Sequence, residues 1–238
     1  LGAQVGDFGL LRLIGRGAQS AVFEGIAGDS VRCAVKVVRL EPVQELPEST
    51  ALVVERLENE ARVLERLAQV PGVPRLLAVE RSQGGQLPAH IALVMSLSDG
   101  MPIGRAVPES ALLSWSKTLL LAHRVGVVHG DLAPEHLLLA ADGATHVLDW
   151  GCAFEPGSRA RRLGFRPRYE SALVKAGQPP EASSDWFAFE RILAETGAGA
   201  SAPPALMQLI LALSSAEAAG WLRAAEALSE VCGLSAVK

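Results

Sequence analysis

The sequence has few of the features that settle a protein's class at a glance. Its three cysteines, Cys33, Cys152 and Cys232, are far apart and odd in number, so neither a paired zinc site nor a disulfide framework is written into it. A reducing, cytoplasmic compartment is the simplest expectation. No apolar run approaches the roughly 18 residues that cross a bilayer. Nor is one sign of charge in excess. The 22 Lys and Arg against 26 Asp and Glu leave a net of −4, which gives no overall attraction to nucleic acid or an anionic membrane surface. A starting methionine and a signal-peptide pattern are both missing, so a domain cut from something longer is expected. There is no internal repeat.

What is there suits a soluble globular chain. Its 238 residues, 49% apolar and 20% charged, can bury one large core or two modest lobes. Residues 8–40 alternate short apolar runs with glycine-containing turns, which predicts three strands of an antiparallel meander. Residues 48–70 carry Val53, Leu57, Leu64 and Leu67 at helical spacing and end before Pro71-Gly72, which predicts one amphipathic helix. Segments 75–80 and 91–97 read as strands around a turn at Gly84-Gly85. Beyond Asp99-Gly100 the character turns helical, with helices expected over 110–125, 185–195, 205–213 and 216–231. The stretch 196–204 is expected to be a low-complexity loop.

Two carboxylates stand out. Asp131 lies in His129-Gly130-Asp131-Leu132-Ala133-Pro134-Glu135-His136, and Asp149 lies in Val147-Leu148-Asp149-Trp150-Gly151, each just after an apolar segment. Such a pair can serve as a base and a metal anchor. Upstream, Gly15-Arg16-Gly17-Ala18-Gln19-Ser20-Ala21-Val22 is a turn whose backbone can approach phosphate oxygens, although two glycines in a turn are more often only a turn. Lys36 shares an apolar strand face with Ala34 and Val38 and so needs an anion. Glu60 is the natural one. It falls in the apolar stripe of the helix between Leu57 and Leu64, whereas Glu55, Glu58 and Glu65 fall on other faces.

Taken in this order, the glycine loop, the lysine strand and the two carboxylate loops resemble the protein-kinase family from the first residues to about Asp185. The resemblance implies a single α+β domain over 1–238. A β-rich N-lobe with one regulatory helix (1–95), a hinge (96–100) and an α-helical C-lobe (101–238) would bind ATP in the cleft with Mg²⁺ or Mn²⁺. Ile14, Gly15, Gly17, Val22, Ala34, Met95, Ser96, Leu97 and Leu138 would then surround the nucleotide, with Lys36 and Glu60 on its phosphates. Asp131 would be the base, Asp149 a metal ligand, and Asp185 the buried aspartate bonded to the catalytic-loop backbone. His129, Leu64 and Trp150 match the family's hydrophobic column.

The sequence also departs from the family pattern. Gly130 replaces an arginine that receives an activation-loop phosphate. Ala133 and Glu135 stand where relatives place a cation for the transferred phosphate, which leaves the catalytic loop without one. His136 occupies the position of the second metal-binding asparagine, and imidazole is a poor ligand for a hard ion. Neutral imidazole favours Mn²⁺ over Mg²⁺, and protonation near the ordinary histidine pKa of about 6.5 would work against metal binding. Arg166 replaces the usual threonine near the end of the activation segment, and Ser171-Ala172-Leu173 replaces Ala-Pro-Glu. The arginines at 159, 161, 162, 166 and 168 read by default as a solvated loop, with attraction for an acidic substrate or phosphate as the alternative. Three readings follow: an atypical Ser/Thr-type phosphotransferase acting on a protein, a pseudokinase that binds nucleotide or a regulatory protein partner, and a small-molecule or glycolipid kinase. The last rests on the likeness of residues 131–139 to the loop of lipopolysaccharide core kinases. No membrane span and no nucleic-acid partner are expected.

Overall fold

A computed structural model describes residues 3–17, 20–28, 30–40, 50–84, 88–155, 166–215 and 218–234. The chain divides into two compact units, Leu1–Ala68 with Pro74–Ser98, and Gln69–Val73 with Asp99–Lys238. The fold is mixed α+β, with an antiparallel sheet and one helix first and a helical region after it. The change of unit between Ser98 and Asp99 falls inside the 96–100 stretch. The return of Gln69–Val73 to the second unit was not visible in the sequence.

In the first unit, β1 (Gln4–Val5), β2 (Phe8–Arg16), β3 (Ser20–Ile26), β4 (Arg32–Arg39), β5 (Leu76–Ser82) and β6 (His90–Ser96) form one sheet in the order β1-β2-β3-β4-β6-β5. Side chains alternate between its faces, and residues paired across strands share a face. Cys33 and Val35 therefore point with Val5, Ala92 and Val94 into one apolar cluster. The opposite parity puts Val22, Ala34, Lys36, Leu93 and Met95 together, because Val22 pairs with Lys36, Lys36 with Leu93, and Ala34 with Met95. Helix α1 (Thr50–Arg66) packs on β4, β5 and β6. Its buried stripe is Val53, Leu57, Glu60 and Leu64. The helix is shorter than the 48–70 expected. It stops at Arg66 and the chain turns through 67–73, where Gly72 takes a left-handed φ of 81° that a β-carbon would strain; residues 48 and 49 lie outside the described part.

In the second unit, β7 (Met101–Pro102), β8 (Leu137–Leu139) and β9 (Thr145–Val147) form a small antiparallel sheet. Helix α2 (Glu109–Arg124) packs on β9, and α3 (Ala172–Lys175), α4 (Ala182–Thr196), α5 (Pro204–Ser214) and α6 (Ala218–Val231) complete the unit. The core is built from Leu112, Trp115 and Leu119 of α2, Trp186, Phe189 and Ile192 of α4, and Ile210 and Leu213 of α5, all fully buried. Phe189 stands edge-on to Trp186 at 6.2 Å between ring centres, an arrangement that aromatic quadrupoles favour. The expected loop over 196–204 instead contains a 3-10 turn, Ala198–Ser201, entered through Gly197 at φ 77°. The left-handed glycine ends α4 in the way helix C-termini commonly do.

Candidate active site

The first unit assembles the expected ion pair of Lys36 and Glu60. Lys36 Nζ lies 2.7 Å from Glu60 Oε2, with both side chains largely withdrawn from solvent. Strand parity puts Lys36 on the face that α1 covers, and helical spacing puts Glu60 in the buried stripe. Glu58, on another face, pairs instead with Arg81 in the open, at 2.5 Å. On the sheet face of Lys36, the small buried Ala34 and the buried Met95 are direct neighbours, and Val22 flanks them.

Ile14 lies where the β2–β3 register shifts between Leu13↔Phe23 and Gly15↔Val22, a bulge that re-aims its side chain. Gly17 donates its amide to the Ser20 carbonyl at 2.9 Å to close the hairpin, and Ala18 and Gln19 fall outside the described residues. Neither Gly15 nor Gly17 has a positive φ. A β-carbon at Gly15 would meet Val22 at 3.5 Å, an ordinary contact, so the fold itself does not demand glycine there. Ser96 is engaged within the unit, its amide donating to the Arg75 carbonyl at 2.8 Å and its hydroxyl accepting from the Arg75 amide at 2.9 Å. Leu97 follows it, half-buried.

The second unit gathers the two carboxylate loops. Asp185, buried on α4, accepts from the His129 amide at 2.7 Å, the Gly130 amide at 2.9 Å and His123 Nε2 at 2.8 Å. Burial would raise this carboxyl; the His123 bond and charge, His129 and the Gly130 amide outweigh it and hold the carboxyl below the ordinary aspartate range. Gly130 must be glycine. Its φ is 76°, and a β-carbon would stand 2.8 Å from the Cys152 carbonyl oxygen. His129 donates from Nε2 to the Leu148 carbonyl at 2.9 Å and lies 4.7 Å from the Trp150 ring centre, tying the Asp131 loop to the Asp149 loop. Leu138, buried on β8, pairs with Pro102 and His146.

These ties bring Asp131, His136 and Asp149 together. His136 donates from Nδ1 to the Asp131 carbonyl at 2.8 Å, which turns Nε2 toward Asp149 Oδ2, 3.5 Å away. Burial moves the His136 pKa down to about 4, against the pull of Asp149 and with the repulsion of His129 and Arg166. Burial thus favours the neutral imidazole through the ordinary histidine range. Asp149 itself adopts a left-handed backbone at φ 62°, a strain of about 1–3 kcal/mol that clusters at functional sites.

The sequence missed the part played by Arg166. Its side chain is only one-third exposed, with Nε 3.2 Å from Asp131 Oδ1 and NH1 paired with Glu135 Oε1, and NH2 lies 3.4 Å from His136 Nε2. Arg168 pairs with Glu195 at 2.8 Å; Arg159, Arg161 and Arg162 lie outside the described residues. A pocket beside the loop is lined by Gly130, Asp131, Arg166, Tyr169, Ser171 and Val174, among others. In place of Ala-Pro-Glu, Ser171 caps α3 by accepting from the Val174 amide at 3.4 Å. His123 was missed too, since nothing in an amphipathic helix marks one histidine as the partner of an aspartate 62 positions later.

The donors fit a divalent ion in part. One carboxylate and one neutral imidazole lone pair converge, and among the described residues no three His, Cys, Asp or Glu side chains gather as ligands. Phosphate and water oxygens would have to complete the shell, as is common for Mg²⁺.

A family model described as the protein kinase domain matches residues 8–205. The serine/threonine-protein kinase PknE of Mycobacterium tuberculosis is 27% identical over 162 residues, covering 64% of this chain and 27% of that protein. PknE of Mycobacterium bovis matches to the same extent. The chain thus spans about a quarter of the length of these curated relatives. Among the described residues no helix is long and apolar enough to cross a membrane. With the family model covering most of the sequence and the two carboxylate loops arranged as described, the chain belongs to the protein kinase family.

Proposed function

We propose that the chain is an ATP-dependent phosphotransferase of the Ser/Thr protein-kinase type. The observation that carries this reading is the convergence of Asp131, His136 and Asp149 on one loop cluster. Lys36, held by Glu60, binds the α and β phosphates. The lack of a side chain at Gly15 admits close approach of phosphate oxygens, and Ile14, Val22, Ala34, Met95, Ser96, Leu97 and Leu138 hold the base and ribose. Asp149 and His136 hold a divalent ion, which when bound neutralises phosphate charge. Asp131 orients the substrate hydroxyl and takes its proton. The hydroxyl oxygen forms a bond to the γ-phosphorus, the bridging P–O bond breaks, and its electron pair leaves on ADP.

A γ-phosphate transfer assay on Ser/Thr peptides and on the chain itself, in Mg²⁺ and in Mn²⁺, tests this reading. Asp131-dependent transfer, stronger in Mn²⁺, is expected, because a nitrogen donor suits the softer ion. His136→Asn, which restores an oxygen ligand, should move the preference towards Mg²⁺. Transfer equal in the native chain and Asp131→Asn with both metals overturns the phosphotransferase reading. The pseudokinase reading, favoured by Ala133 and His136, would then stand if ATP still raises thermal stability. Transfer to a sugar or lipid hydroxyl but to no protein would favour the small-molecule or glycolipid reading.

A further inference from the structure

We propose that Arg166 supplies the cation for the transferred phosphate that the catalytic loop itself lacks. The inference rests on the phosphotransferase reading and adds a residue to it. Charge on a phosphoryl group in flight is spread over three oxygens, and fixed cations stabilise it. Between Asp131 and His136 the loop offers only Leu132, Ala133, Pro134 and Glu135, none of them a cation. The guanidinium that reaches this loop comes from the far side of the segment 156–165. It rests on Asp131 Oδ1 at 3.2 Å, on Glu135, and 3.4 Å from His136 Nε2.

The geometry places the charge between the base and the metal ligand, where the reacting phosphate has to lie. A guanidinium has five N–H donors in a rigid fork, of which three face these partners among the described residues. It can therefore stay on Asp131 and Glu135 and give NH2 to a phosphate oxygen, exchanging only the long contact to His136. Glu135 becomes the positioning residue. Its acidic side chain, at a position where some relatives carry an arginine, holds an arginine brought from elsewhere. Arg166 also stays charged, since the Glu135 hydrogen bond and the Asp131 charge outweigh the effect of its burial.

The transfer step is that written above: hydroxyl proton to Asp131, new bond from hydroxyl oxygen to γ-phosphorus, bridging electron pair to ADP. Arg166 takes no proton and breaks no bond. Its place is on the oxygens of the group that moves. ATP carries those oxygens and ADP does not, which yields a readout independent of turnover.

The experiment compares the native chain with Arg166→Ala, Arg166→Lys, Glu135→Gln, and Arg166→Ala combined with Glu135→Arg. ATP and ADP affinities are measured by calorimetry in Mn²⁺, and γ-phosphate transfer is followed in parallel. Melting temperatures without nucleotide confirm folding, and Arg166→Lys, which keeps the charge, carries the test if the alanine variant does not fold. Arg166→Ala should lose about tenfold in ATP affinity, the size of a charge-assisted bond, with ADP affinity unchanged, and about 100-fold or more in transfer. Arg166→Lys should keep the ATP-over-ADP preference while losing part of the rate. Glu135→Gln should lose part of both. The exposed position 135 accepts an arginine, and the double variant should regain at least about tenfold in rate by returning a cation to the loop.

Equal loss of ATP and ADP affinity, or no change in either, overturns the assignment. Faster transfer by Arg166→Ala also overturns it, and would make the guanidinium a plug on Asp131. If the native chain shows no Asp131-dependent transfer, the phosphotransferase reading fails by itself, while the ATP-to-ADP comparison still decides where Arg166 binds.

Discussion

Two of the buried charge clusters among the described residues are held by different means. In the first unit, Lys36 and Glu60 stand on a strand and a helix, and the periods of those elements alone bring them within 2.7 Å. In the second unit, Asp185 stands on a helix but spends its oxygens on irregular backbone, the His129 and Gly130 amides, and on His123. One cluster is fixed by regular geometry and the other fixes an irregular loop. Loss of the first should harm a binding function, whereas loss of the second should harm the fold.

The largest effect should come from Asp185→Ala. It strands His123 and two loop amides in a buried place, and removing one side of such a network costs about 3–5 kcal/mol. Urea unfolding should show a lower midpoint with the slope little changed. A loss below about 1 kcal/mol would contradict the role of Asp185 as the loop's support.

A smaller effect is expected from Glu60→Ala, because Lys36 retains some access to water. Stability should fall by about 1–2 kcal/mol, with ATP affinity falling about tenfold. Glu58→Ala, which breaks only the exposed pair with Arg81, should change stability by less than about 1 kcal/mol and leave ATP affinity as it was. Equal effects from the two substitutions would remove the distinction between the helix faces.

The regular half of this comparison was legible in the sequence and the irregular half was not. Alternation over 32–39 and the stripe of Leu57, Glu60 and Leu64 give the Lys36 partner directly, because strand and helix periods convert sequence spacing into direction. Asp185 was found only through the family resemblance. His123 and Arg166 were not assigned, since their partners lie 62 and about 30 positions away across turns whose path no periodicity encodes. Local signals missed β7 and β8, two- and three-residue strands too short to show alternation. They also carried α1 past its end, because Leu67 continues the stripe after the backbone has turned.

Gly15→Ala should have the smallest effect on the fold. A methyl group there finds ordinary contact with Val22, so unfolding free energy should stay within about 1 kcal/mol of the native chain. ATP binding should weaken by contrast, read as a smaller thermal shift at fixed ATP concentration. Unchanged ATP binding would return Gly15 to the role of a plain turn residue.

Gly130 limits the regulation open to this chain. By the family resemblance, many protein kinases place at this position an arginine that receives an activation-loop phosphate, and installing one looks like a single substitution. Yet the backbone is left-handed at Gly130, and the first carbon of any side chain would stand 2.8 Å from the Cys152 carbonyl. An arginine therefore cannot be installed by one change; the loop and the 150–152 turn must be re-routed together. The glycine thus acts as a one-residue lock: the present course of the loop excludes every side chain at this position, the phosphate-sensing arginine included.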